Sequence, residues 1–142
     1  MDFSHTLKLN KTREQIDNWF WNNYKELSSP EYYACIDNNG DTPEMFNSAK
    51  LRVLIVFISS GKVRGVSNTP TALRSLVKQK LGNDVFVDFS YLPYAEDEER
   101  FIKDGIPFWF GNVSHAPVQD YDILMVSHSI IPEILDFPRA LS

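Results

Sequence analysis

The stretch Arg52-Val53-Leu54-Ile55-Val56-Phe57-Ile58 decides the fold. After Arg52 it is an unbroken apolar run rich in β-branched residues, with no polar side to turn to water. A strand of that kind is buried on both faces, as in a parallel sheet. A polar segment follows: Ser59-Ser60-Gly61-Lys62-Val63-Arg64-Gly65-Val66-Ser67-Asn68-Thr69. Thr69-Pro70 then opens a helix, with Leu73, Leu76, Val77 and Leu81 expected on one face and Gly82 as the stop. Residues 85–89 read as a second strand. Residues 96–103 read as a short helix, with acids in its first turn and Arg100 and Lys103 in its last, the order that suits the helix dipole. Gly105 ends it, and residues 106–110 read as a brief extended piece. Residues 121–126 form a third apolar strand. Residues 131–141 begin another helical stretch, interrupted by Pro138. The order β-α-β-α-β-α predicts an α/β fold, a small three-layer parallel sheet with right-handed crossovers. Three strands make a thin sheet, so either the sheet stays small or the natural polypeptide continues past Ser142.

Before residue 51 the pattern is helical. Thr12 and Gln15 have capping-box spacing, and Ile16, Trp19, Phe20, Tyr24 and Leu27 recur at helical intervals, which predicts a helix over residues 12–27. Ser29-Pro30-Glu31 starts a second, short helix, ended by the turn Asn38-Asn39-Gly40-Asp41, and Thr42-Pro43-Glu44 repeats the start signal. The chain is thus expected to divide into a helical N-terminal extension, residues 1–50, and an α/β domain, residues 51–142.

Composition removes several classes of function. The net charge of −5 over 142 residues argues against a nucleic-acid surface, which would show basic clustering. No apolar run reaches the length of a membrane helix, and the start MDFSHTLKLN lacks the pattern of a signal peptide, so a cytoplasmic protein without membrane contact is expected. Cys35 is the only cysteine, which excludes an internal disulfide and a cysteine-built zinc or iron–sulfur site made by this chain alone. Its neighbours Tyr32, Tyr33 and Ile36 suit a packing role.

In open parallel sheets ligands bind beyond the carboxyl ends of the strands, near a switch point. Three segments lie there. In the first, Ser59, Ser60, Gly61, Lys62, Arg64, Ser67, Asn68 and Thr69 supply glycines, cations and hydroxyls just before a helix N-terminus, which favours a phosphate or carboxylate. Val56 stands where a P-loop needs its first glycine, and the dinucleotide glycine pattern is missing as well. The alternative is a solvated βα loop. In the second segment, Ser90-Tyr91-Leu92-Pro93-Tyr94, Tyr91 and Tyr94 either flank a flat ligand or pack on neighbouring loops. In the third, Ser127 and His128 end a buried strand, and His128 titrates near neutrality. A lone histidine is not a catalytic constellation. His5 and His115 lack ligand spacing to it, so no metal site is expected and no catalytic residue is assigned. Asp122 reads as a strand-start residue.

Residues 51–141 resemble the N-terminal, cobalamin-binding-like (Rossmann/flavodoxin-like) domain that precedes the catalytic barrel in a group of radical SAM proteins. Arg52-Val53-Leu54-Ile55-Val56-Phe57 is similar to that domain's opening strand, and residues 69–81 to its first crossover helix. Gly105-Ile106-Pro107-Phe108-Trp109 resembles its G-(I/L)-P-L-(F/W) turn. Tyr121-Asp122-Ile123-Leu124-Met125-Val126-Ser127 resembles its (F/Y)-D-(I/V)-(V/L)-x-x-S strand, and residues 133–141 its next helix. The order and spacing of these segments carry the likeness. The resemblance implies an accessory domain holding cobalamin or substrate beside a barrel supplied by the rest of a larger polypeptide. Residues 59–64 lack the histidine of Asp-x-His-x-x-Gly, so any cobalamin is expected without a histidine axial ligand from this chain. The cysteine triad C-x-x-x-C-x-x-C is absent, so this chain alone assembles no cluster. Two other readings stand beside this one. One is a small nucleotide- or phosphate-binding protein, gripping with Lys62 and Arg64 and using His128 for acid–base chemistry. The other is an interaction module anchored on Trp19, Phe20 and Trp21, which cannot all face one core.

Overall fold

The structure, a computed structural model, describes residues 11–34, 41–60 and 69–127. In chain order the elements are α1 (Arg13–Asn23), α2 (Met45–Ser48), β1 (Leu51–Ser60), α3 (Thr69–Leu81), β2 (Val85–Leu92), α4 (Ala95–Asp104) and β3 (Ile123–Ser127). The strands form one all-parallel sheet in the order β2-β1-β3. Leu51 pairs with Val85 at one end, and Phe57 with Ser127 at the other. Helices lie on both faces of β1 and β2, whereas β3, expected as a buried strand, is more than a third exposed from Ile123 to Val126 among the described residues. The architecture is Rossmann/flavodoxin-like.

The apolar run of β1 splits by parity. Val53, Ile55 and Phe57 join Val85, Val87 and Tyr91 under Leu73 and Val77 of α3. Leu54, Val56 and Ile58 face the other way, into a larger core with Ile16 and Phe20 of α1, Phe101 of α4, and Phe108, Trp109 and Phe110. The N-terminal elements therefore share one continuous core with the sheet. The expected capping box is present: Thr12 N–H donates to Gln15 Oε1 at 3.0 Å and Gln15 N–H to Thr12 Oγ1 at 3.2 Å. Gly105 ends α4 in the left-handed region (φ 64°), with Ile106 N–H on Phe101 O and Gly105 N–H on Ile102 O, a Schellman closure.

Several elements differ from expectation. The first helix stops at Asn23, whose amide turns back to Trp19 O, and Tyr24–Glu26 continues only as a 3-10 turn. Pro30–Tyr32 is a single 3-10 turn, and the start at Pro43 yields only the four residues of α2. β2 runs to Leu92, three residues beyond the expected strand end. Residues 106–110 form no strand; one antiparallel bridge joins Phe110 to Pro117. In α3, Leu76 and Leu81 are more than half exposed. The helix instead turns Arg74 and Lys78 inward to the buried carboxylate of Asp41, with Lys78 Nζ 3.0 Å from Asp41 Oδ1 and 2.9 Å from Val85 O. Leu76 lies about 60° round the helix from Leu73 and is rotated out by that pairing. The packing role expected of Cys35 and the helix expected over residues 131–141 lie outside the described residues.

Candidate functional site

The strand order builds the site. The chain leaves β1 for β2 on one side and returns past it to β3 on the other, so crossovers diverge on either side of the β1–β3 seam. That seam is the switch point at which open parallel sheets leave a crevice beyond their carboxyl ends. Ser59 and Ser60 are the last two residues of β1, and Ser127, half-buried, closes β3 opposite Phe57. Thr69 is the first residue of α3. The backbone thus brings the expected Ser59, Ser60 and Ser127 to one end of two adjacent strands. Gly61, Lys62, Arg64, Ser67, Asn68 and His128 lie outside the described residues.

The second expected segment is not an open loop. Tyr91 belongs to β2 and is buried, its ring stacked on Phe57 with centroids 4.6 Å apart and planes 11° from parallel. It floors the β1 end beneath α3. Tyr94 is buried from the N-terminal side. Its N–H donates to Tyr33 Oη at 2.9 Å, and the Tyr33 hydroxyl donates to Asp97 Oδ2 at 2.8 Å. Asp97 also accepts from Ser28 N–H and Ser28 Oγ, each at 3.0 Å. Burial raises the Tyr33 hydroxyl well above its usual range and the Tyr94 hydroxyl to about 12, so both stay neutral donors at any physiological pH. The N-terminal segment therefore plugs the carboxyl end of β2. Among the described residues, that leaves the carboxyl ends of β1 and β3 as the candidate site.

On the far side of β1, Trp109 Nε1–H donates to Phe57 O at 3.2 Å and ties the switch-point strand to the aromatic loop. That loop is held by a residue the sequence reading passed over. Asp88 is fully buried in the middle of β2. Its Oδ1 accepts from Phe89 N–H (2.8 Å) and Val113 N–H (3.0 Å), and its Oδ2 from Ser114 N–H and the Tyr121 hydroxyl (3.0 Å each). Tyr121 has one proton and gives it to Asp88, so the Ser114 hydroxyl must donate to Tyr121 Oη at 2.8 Å. Ser114 Oγ in turn accepts from Ala116 N–H at 3.0 Å. The available signal was the lone charge inside the apolar run Val85-Phe86-Val87-Asp88-Phe89, since a buried carboxylate requires a full set of donors.

A second missed pair joins α1 to the same loop. His115 Nδ1 lies 2.7 Å from Asp17 Oδ1, with the histidine buried and the carboxylate half-exposed. Among the described residues, no atom partners His115 Nε2. The carboxylate–imidazole geometry suits a general base, but the imidazole is buried against Phe20, Trp21 and Phe110. Elsewhere, an open groove of about 580 Å³ lies along α4, where Glu26, Glu96, Glu99 and Asp104 face Arg100 and Lys103. Arg100 bonds Asn23 and Glu26 there, so the groove is a salt-bridged, solvated face. Asp122 does mark a strand start: its Oδ2 accepts from Arg52 N–H at 2.7 Å. Of the three N-terminal aromatics, Phe20 is buried, Trp19 half-buried and Trp21 54% exposed, so Trp21 is the one turned outward.

Comparison with protein-family models, curated proteins and solved structures finds no match. Among the described residues, no helix is long and apolar enough to cross a membrane, and no cluster of three or more histidine, cysteine or acidic side chains is placed to hold a metal.

Proposed function

We propose that this chain is an accessory domain of a radical SAM protein, contributing a cobalamin or substrate pocket beside a catalytic barrel. The observation that supports it most is the order β2-β1-β3, with its switch point at Ser59, Ser60 and Ser127. Small residues end both strands there, which lets a flat ligand approach the backbone closely. Tyr91 and Phe57 give that end an apolar floor. Among the described residues, that end carries backbone groups and serines, which suit a cobalamin gripped by its periphery. When bound, cobalamin supplies a cobalt centre able to carry a methyl group. The chain's own residues would position it and keep water from its face. Adding hydroxocobalamin is expected to change its visible spectrum and to protect residues 59–69 and 127–129 from hydrogen exchange. Neither effect appearing would remove the cofactor part of the reading.

The interaction-module reading draws on the exposure of Trp21, which stacks on Tyr24 with centroids 5.5 Å apart. Deleting the N-terminal region is a poor test, because Ile16 and Phe20 belong to the core. Trp21 also donates to Asp17 Oδ1 and packs on Phe20, so Trp21→Ala is expected to cost about 1 kcal/mol with the fold retained, while abolishing binding to a separately supplied barrel. Unaltered binding would end this reading. The phosphate-binding reading rests on Lys62, Arg64 and His128, all outside the described residues.

A further inference from the structure

We propose that the Asp17–His115 contact is a pH-sensitive clasp: the neutral imidazole fastens α1 onto the turn at residues 111–116, and its protonation loosens that helix. The geometry fixes the tautomer of the neutral ring. Asp17 Oδ1 sits 2.7 Å from Nδ1, so the ring proton belongs on Nδ1 and is donated to the carboxylate. Nε2 then keeps only its lone pair, which costs little in an apolar enclosure. Ring centroids of Phe20 at 4.8 Å, Phe110 at 5.7 Å and Trp21 at 6.3 Å surround the imidazole. Protonation places a second N–H at Nε2, where no acceptor stands among the described residues, and a charge in a buried, aromatic-lined site. The backbone adds to the constraint, because His115 holds φ at 55°, a left-handed conformation closed by its own N–H on Gly111 O.

The charged groups facing His115 pull in opposite directions. From α1, Asp17 favours the imidazolium and Arg13 opposes it; from β2, Asp88 favours it, but its carboxylate already accepts four hydrogen bonds. Burial outweighs the two acids, and the imidazole is held below its ordinary 6.5. A depressed imidazole contributes its stability fully above about pH 6.5 and loses it as pH falls further, because the opened state binds the proton more readily. The clasp matters to α1 because the helix docks on the same turn a second time, through Arg13 Nε on Ser114 O at 2.7 Å. An imidazolium beside that guanidinium weakens both attachments at once.

The test is amide hydrogen exchange of α1 between pH 8 and pH 5, corrected for the intrinsic pH dependence of exchange. Opening of α1 should be flat above pH 6.5 and then rise by up to tenfold per pH unit, the limit for one coupled proton. His115→Asn keeps a residue type that tolerates the left-handed turn and removes the titrating group; its opening should not vary with pH. A flat wild-type profile, or an unchanged slope in His115→Asn, would overturn the proposal. If that variant does not fold, nitrogen NMR of the wild-type imidazole decides. A ring that is still mainly neutral and Nδ1-protonated just below pH 6.5 is the expected result, and titration at or above 6.5 would overturn it.

Discussion

Asp88→Ala is expected to destabilise the protein by about 3–5 kcal/mol, the range for breaking a buried hydrogen-bonded charge. The substitution removes no apolar contact of consequence. It strands four buried donors: the N–H groups of Phe89, Val113 and Ser114, and the Tyr121 hydroxyl. Each unsatisfied donor costs about 1–3 kcal/mol, partly offset by no longer having to bury a carboxylate. The effect should show as a lower urea midpoint with an unchanged slope, since the extent of the folded core is the same. Asp88→Asn should be milder. Its amide still accepts through one oxygen, and the Tyr121 hydroxyl can turn to accept from the new NH₂. The Ser114 or Val113 N–H then faces a donor, so about half of the loss remains. Tyr121→Phe in the Asp88→Ala background should cost less than it does alone, because the hydroxyl has already lost its acceptor. A midpoint for Asp88→Ala close to the wild type would mean that the carboxylate is not the anchor described.

The sheet was legible because its signals are local. The unbroken run at residues 53–58 specifies a strand buried on both faces, and Gly82 and Gly105 mark helix ends that the backbone honours at φ 59° and 64°. The switch point follows from the same alternation of strands and helices. What escaped was non-local. The helical face of α3 was read as an apolar stripe, yet Arg74 and Lys78 are drawn inward by Asp41, more than thirty residues earlier in the chain. Tyr94 reads as a loop residue until Tyr33 is placed over it, 61 positions away. His115 was set aside for its spacing to His128, whereas its partner Asp17 stands 98 residues upstream. Spacing rules find ligands shared by one helix or one loop. They are blind to a pair assembled when a terminal helix docks on a distant turn. Asp88 was the exception: a lone carboxylate in a buried strand is itself a local signal that donors must converge on it.

Gly111→Ala is expected to be as damaging as any change at the charge it neighbours. Only Gly82 and Gly105 among the described glycines have positive φ, so conformational freedom is not what Gly111 supplies. Space is. A Cβ built there would fall inside the contact radii of Tyr121 Oη and Asp88 Oδ2, and 2.6 Å from Ser114 Oγ. All three are members of one hydrogen-bonded network, and none is the loose end of a flexible side chain. Asp88 is fixed by its four donors, and the half-buried Tyr121 is held through its hydroxyl, which burial and Asp88 raise well above the ordinary value. Relief therefore requires the turn at residues 111–116 to lift away from β2. That lift would break Asn112 N–H on Phe89 O and Gly111 N–H on Ala116 O, both 2.9 Å, and loosen the His115 contact with α1. Overpacking typically costs about 1–3 kcal/mol and more where no neighbour can yield, so a loss of at least about 3 kcal/mol is expected, or roughly 10 °C in melting temperature for a chain of this size. Combining Gly111→Ala with Tyr121→Phe removes the nearest obstructing atom. The pair should be less destabilised than the sum of its parts by at least about 1 kcal/mol. Strict additivity would show that the methyl group is accommodated elsewhere, and a melting temperature within a few degrees of the wild type would show that the turn does not press on Asp88 at all.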